Sequence, residues 1–133
     1  MTIFLIANIG HTAKHHEHIN WWRPNSCGYT VCINRAGLYT EDAARSICAG
    51  DSRLVAVEPP IAESVAVSTP YYRRSNGTLA KLYDGDKHRP VPNSIAAWRH
   101  LMDNRALWCA PPDKPTPIPT TKARAIYLEG VEA

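Results

Sequence analysis

Four of the six histidines, His11, His15, His16 and His18, crowd into one short stretch near the amino terminus, and Cys27 and Cys32 follow. Imidazole and thiolate are the usual ligands of zinc, so this stretch is where a metal would be sought. The spacing argues against a structural site. Such sites present tight pairs of the Cys-x2-Cys or His-x3-His kind, whereas Cys27 and Cys32 are five apart and would face opposite sides of one strand. His15 and His18 could chelate together only on a helix or a turn. A zinc site drawn from His11, His15, His16, His18 and Cys27 is therefore weighed against a polar loop that gains charge below about pH 6.5, and the loop is the simpler reading. Cys27 as a nucleophile with a neighbouring histidine as base lacks any orienting third group. Asp84 and Asp86 could hold Mg²⁺ for a metal-dependent enzyme such as a nuclease, but Asp-Gly-Asp is also ordinary turn chemistry. No cofactor is expected, and the balance falls against an enzyme.

The second chemistry is cationic and aromatic. Five basic against six acidic side chains give residues 1–66 a charge of −1, while ten against six give residues 67–133 a charge of +4. Tyr71, Tyr72, Arg73, Arg74, Lys81, Tyr83, Lys87, His88 and Arg89 gather there, and bases or phosphates use such mixtures of rings and cations. The alternative is a solvated edge hairpin, guarded against aggregation by its charges. A formal net charge of only +3 is modest for a dedicated nucleic-acid binder.

The third is the stretch Trp21-Trp22-Arg23-Pro24, Gly28-Tyr29-Thr30 and Ala36-Gly37-Leu38-Tyr39-Thr40. Adjacent strand residues point to opposite faces, so one tryptophan belongs in the core and the other is exposed or covered by another element. An exposed Trp22 beside Arg23 would be an interface anchor. Over residues 18–60 this pattern resembles small uncharacterised proteins of bacteriophages and prophages. The resemblance implies a mobile-element origin and a strand-strand-helix-strand unit, and it transfers no catalytic residues. Tyr71 to Met102 departs from the usual short form.

These residues need elements to position them. Thr2 to Ile9 is apolar on both alternate faces, as a central strand is, and Gly10 stops it. His18 to Arg23 and Tyr29 to Asn34 read as a hairpin, with Pro24 ending its first strand. Thr40 caps a helix over about 41–49, whose inner face is Ala43, Ala44, Ile47 and Cys48, with Gly50 as a left-handed stop. Arg53 to Glu58 is a strand ended by Pro59 and Pro60. Asn76-Gly77 places a type I′ turn between Tyr71–Arg74 and Leu79–Tyr83. Asn93 or Ser94 caps a helix over about 95–105, with Ile95, Trp98, Leu101 and Met102 inward. Five prolines between Pro111 and Pro119 make a semi-extended spacer, and Ala123 to Leu128 is a last strand.

The fold class is thus α+β, mainly an antiparallel sheet of short hairpins with two helices. Residues 1–110 form one compact domain, or two subunits over 1–66 and 67–110; a spacer covers 111–122 and a terminal strand and tail 123–133. At 133 residues and 44% hydrophobic, such a domain folds without disulfides, so its four cysteines are expected as free thiols, Cys32 and Cys48 buried and Cys27 exposed. No apolar run reaches the roughly 20 residues of a membrane span, and no signal peptide is visible, so a cytoplasmic protein without membrane contact is expected. An exposed last strand would allow a homodimer by edge pairing. Three functions remain: a phage-type accessory protein that binds a host protein or complex and inhibits a host defence system, a nucleic-acid module on 71–89, or a metal-dependent enzyme. The first is favoured, with Trp22, Arg23, Tyr71, Tyr72, Arg73, Arg74, Lys81, Tyr83, Lys87 and Arg89 as the binding residues.

Overall fold

The computed structural model describes residues 2–12, 17–67, 71–74, 77–81, 89–115, 117 and 126–127. The apolar run at the amino terminus forms β1 (Ile3–Asn8), which is central because both of its faces must be buried. β2 (Trp21–Trp22) and β5 (Leu54–Val57) flank it antiparallel on opposite edges, with Ala7 facing Trp21 on one side and Val55 on the other. β3 (Tyr29–Thr30) pairs with β2, and β4 (Tyr39–Thr40) pairs with Ile3 and Phe4 at the start of β1. The result is the expected α+β fold, with antiparallel sheets of short strands in which the main sheet curls on itself.

Alternation along the strands divides the interior in two. Leu5, Ala7, Val55, Val57 and Trp21 point to a face covered by α2 (Pro59–Glu63) and α3 (Ile95–Asp103). Phe4, Ile6, Leu54 and Ala56 point to the other, under α1 (Glu41–Cys48) and residues 106–109. Each fully buried side chain of this kind stabilises by roughly 1.5–3 kcal/mol, so β1 is bound from above and below.

The helices follow their caps. Thr40 accepts from the Ala43 N–H at 3.3 Å and Glu41 and Asp42 fill the first turn, as the sequence requires. Ser94 caps α3 by accepting from the Ala97 N–H at 3.1 Å. Asn93 is buried instead as the acceptor of the Trp98 indole N–H, at 2.7 Å. The inner face of α3 is Ala97, Trp98 and Leu101, with Met102 half-buried; Ile95, expected inside, is 45% exposed because the small Ala97 takes the inward position. A third helix, α2, was not expected. Pro59 and Pro60 do end β5, but they also occupy the first two helical positions, where a missing N–H is no loss.

Residues 89–93 run as an extended strap between two parts of the first half. Ile19 N–H donates to Val91 O, Asn93 N–H to Glu17 O, and Ile33 N–H to Arg89 O, while Val67 N–H donates to Pro90 O. His18 and Cys32 form isolated bridges to Pro92 and Pro90. The prolines explain why the predicted strands shorten. Neither can donate to a ladder, so the segment read as a strand over 29–34 keeps only Tyr29–Thr30 and turns at Ile33–Arg35, and the one over 18–23 keeps only Trp21–Trp22.

A second sheet consists of β6 (Tyr71–Arg73), β7 (Leu79–Lys81) and β8 (Ile126–Tyr127), in the order β7-β6-β8. The hairpin exists, but its turn differs from the type I′ expected at Asn76-Gly77. Arg74 N–H donates to Thr78 O and Gly77 N–H to Arg74 O, which makes a three-residue connection with Gly77 left-handed at φ 88°. Ser75 and Asn76 themselves lie outside the described residues, as do the Asp84-Gly85-Asp86 turn, residues 116 and 118–125 of the spacer and tail, and residues 128–133. Residues 111–115 form neither helix nor strand, and Asp113 N–H donates to Ser52 O at 2.8 Å.

Candidate functional site

The Trp-Arg-Pro stretch is mostly a lock. Arg23 N–H donates to Gly28 O and Gly37 N–H to Trp22 O, and the Tyr39 hydroxyl donates to Arg23 O while accepting from the Ser26 N–H. A Cβ on Gly37 would sit 2.6 Å from the Tyr39 ring and 3.0 Å from the Arg23 backbone, so only glycine fits. Asn25 and Ser26 are held at φ 57° and 55°, a conformation that persists when the surroundings over-determine it. These residues thus pin the β2–β3 hairpin to β4. Trp21 is fully buried. Trp22 is half-buried and packs on the α1 side, with its indole N–H buried and without a hydrogen-bond partner among the described residues, and Arg23 is also half-buried. Trp22 is therefore not the exposed anchor that the strand alternation allowed.

The described histidines of this stretch, His11 and His18, have different surroundings. His11 is exposed and stacks on Tyr29, with ring centroids 4.0 Å apart. His18 is buried, edge-on to Tyr72 at 4.9 Å, and burial together with the nearby Arg74 lowers its pKa to about 4. His15 and His16 lie outside the described residues. Cys27 is exposed at the loop, while burial first, then Cys109 and Asp51, pushes the Cys48 thiol up to about 12. Among the described residues no three His, Cys, Asp or Glu side chains are grouped as metal ligands would be.

The cationic ribbon is tied to the molecule by its own rings. Tyr72 is buried under the hairpin, with Arg74 over its ring at 5.8 Å and the Arg74 Nη2 donating to its hydroxyl at 3.3 Å. Lys81 lies over Tyr71 at 5.3 Å. Arg73 donates to Gly77 O, and Arg89 lies 3.7 Å from Glu63. Tyr72 is thus removed from the candidate contact surface, since a ring 4% exposed offers no face to a base. Arg73 and Arg74 remain exposed. Tyr83 and Lys87 lie outside the described residues.

Two arrangements were missed in the sequence. Ser64, after α2, and His100, on α3, meet at 2.7 Å between Oγ and Nε2, with Asn104 Nδ2 3.5 Å from Nδ1. That resembles a nucleophile and its base, but the protons run the wrong way. The Ser64 hydroxyl has one hydrogen, and Ile61 O, an acceptor only, lies 2.8 Å from it. His100 must then donate from Nε2, leaving Nδ1 to accept from Asn104. The imidazole cannot take the serine proton, and the trio clips α2 to α3.

The second is a groove of about 410 Å³ between α3 and the proline-rich segment. Ile95, Trp98, Met102, Pro115 and Pro117 form its apolar lining, and Arg99, Asp103 and Lys114 its charged edge. The signal was present in the sequence: Ile95 falls at the margin of the helical stripe, and only the placement of Pro115 and Pro117 turns that margin into a wall. No helix among the described residues is long and apolar enough to cross a membrane. Comparison of the chain with protein-family models, curated proteins and solved structures finds no match in any of the three.

Proposed function

We propose that this chain is a small accessory protein of bacteriophage type that binds a host protein or complex, with inhibition of a host defence system as the finer form of that role. The observation that supports it is the groove between α3 and Lys114, Pro115 and Pro117, with an apolar floor and a charged rim. Protein interfaces have that anatomy: a dry core in which one or two side chains anchor, and polar groups around it. Three groups that could have argued for catalysis have structural employment. His18 is buried, Cys48 keeps its proton, and Ser64 donates to the backbone.

The test is affinity capture from host lysate with nuclease present, comparing the parent with Ile95→Asp and Leu107→Asp. Ile95 lines the groove, whereas Leu107 is fully exposed away from it. A protein partner lost with Ile95→Asp and kept with Leu107→Asp supports the groove; one kept with both removes it. A second reading, nucleic-acid contact on the ribbon, rests on the exposure of Arg73 and Arg74. It requires oligonucleotide affinity that falls steeply with salt and weakens in Arg73→Gln.

A further inference from the structure

The Trp-Arg-Pro lock leaves one piece of its surroundings without a structural task. At the end of β1, Asn8 is buried and its amide is used on both sides: Nδ2 donates to the Tyr29 hydroxyl at 3.0 Å and Oδ1 accepts from the His11 N–H at 3.0 Å. Thr12 adds a third tie, donating to Asn8 O at 2.8 Å and accepting from the Asn20 N–H at 3.0 Å. The effect is to hold two rings in parallel, His11 on Tyr29 at 4.0 Å and 18°, with Trp22 tilted by 56° at 5.4 Å from Tyr29. His11 is the outermost ring, it is exposed, and its imidazole nitrogens make no hydrogen bond among the described residues.

A cation lies within electrostatic reach of Tyr29 in this stack, the Arg53 guanidinium. The Arg53 side chain lies across Gly10, where an added Cβ would come within 3.0 Å of its Cδ and 3.4 Å of the Asn8 amide oxygen. Asp51 grips Nε at 3.0 Å and Nη2 at 2.9 Å, which fixes the plane of the guanidinium and leaves Nη1 without a hydrogen bond among the described residues, with the Asp113 carboxylate also within electrostatic reach. A stacked ring pair held from beneath, with a fixed donor next to it, is what a flat ring bearing an anionic group requires. Stacking gives sequence-tolerant affinity because every base has a π-face, and guanidinium donors suit phosphate oxygens.

We propose that His11, Tyr29 and Arg53 form a binding site for a nucleoside phosphate, with the base stacked on the open face of His11 and the phosphate at Nη1 of Arg53. The site is separate from the groove beside α3 and does not depend on a protein partner. Adenosine monophosphate titrated into the full chain, followed by the NMR signals of the His11 and Tyr29 rings, is the direct test. Saturable upfield shifts at both rings are expected, with adenosine binding more weakly than its monophosphate. His11→Ala removes the ring but keeps the backbone bond to Asn8, so it should weaken binding about ten-fold or more, the size of one base–aromatic stack, at an unchanged melting temperature. Arg53→Gln should erase the difference between adenosine monophosphate and adenosine. Absence of saturation at millimolar nucleotide, or equal affinity in His11→Ala, overturns the site. Binding of a deoxyadenosine hexamer without binding of the monophosphate also overturns it, and assigns the stack to single strands.

Discussion

The main sheet, whose β1 has six residues and β5 four, and the sheet β7-β6-β8, whose strands have two or three, are held in different ways. β1 and β5 carry an apolar side chain on nearly every position, and helices or loops cover both faces. Among the described residues the smaller sheet contributes one deeply buried ring, Tyr72, and meets the main body through His18, Arg74 and Glu17. Apolar burial is nearly indifferent to pH and is strengthened by salting-out anions, whereas a junction of imidazole, guanidinium and carboxylate responds to both pH and ionic strength. One chain thus holds a region whose stability is set by volume and a region whose attachment is set by charge.

The largest effect that separates them should come from Trp98→Ala. The ring is 2% exposed, fills the space between α3 and β5, and satisfies the buried Asn93 carboxamide. Truncation leaves a cavity and takes the indole donor from the buried Asn93 Oδ1, so a loss of about 3–5 kcal/mol is expected from urea unfolding at pH 7. A loss under about 1 kcal/mol would mean that the core around α3 can collapse, and the contrast between the two regions would fail at its stronger end.

Next in size is the pH response of the junction. Unfolded, the His18 imidazole takes its proton near pH 6.5; folded, burial and then Arg74 hold it off until about pH 4. Between these values the unfolded chain binds more protons, so this group's contribution is complete above about pH 6.5 and falls as pH drops toward 4. The loss reaches up to about 3 kcal/mol and is constant below that. Unfolding measured at pH 7, 5.5 and 4 should show it, and His18→Gln should remove that part of the slope. A parallel slope in His18→Gln would assign the acid response to carboxylates elsewhere.

Smaller again is the capping of α3, which belongs wholly to the apolar region. Ser94→Ala removes the acceptor for the Ala97 N–H and should lower stability by about 1 kcal/mol, with no change between pH 7 and pH 4 beyond that of the parent. A pH-dependent difference would show that the strap at residues 89–93 transmits the His18 titration into α3.

What the sequence disclosed follows the same division. The double-faced apolar run of β1, the Thr40 cap with its two acids, and the Trp98–Leu101 stripe are local patterns tied to burial, and each appears where the pattern put it. The missing parts depend on partners distant in sequence. Nothing near Tyr29 announces that Cys32 will meet Pro90, and nothing near Ile95 announces that Pro115 will face it. The ring stack was hidden for the same reason. His11 was weighed as a metal ligand by its neighbours along the chain, whereas its actual neighbours are Tyr29 and Asn8. Pro59-Pro60 misled in another way, because one dipeptide both terminates a strand and starts a helix.

The smallest effect is also the most specific to the charged junction. Arg74 is half exposed, 3.9 Å from Glu17 and above the Tyr72 ring. An ion pair this accessible contributes on the order of 0.5 kcal/mol, so Arg74→Met should scarcely move the midpoint of unfolding at pH 7. The same guanidinium is the second cause, after burial, of the low His18 pKa. Removing it leaves burial alone, so the imidazole should titrate higher than about 4 while staying below its ordinary value, and the acid loss of stability should shrink. Salt separates the two contributions, since about 1 M NaCl screens an exposed charge but does not rehydrate a buried ring. High salt should therefore move the parent's acid profile toward that of Arg74→Met and leave the variant's own profile in place. If instead Arg74→Met and the parent titrate identically in low salt, the junction is held by the packing of Tyr72 on His18, and the smaller sheet belongs to the same apolar regime as β1.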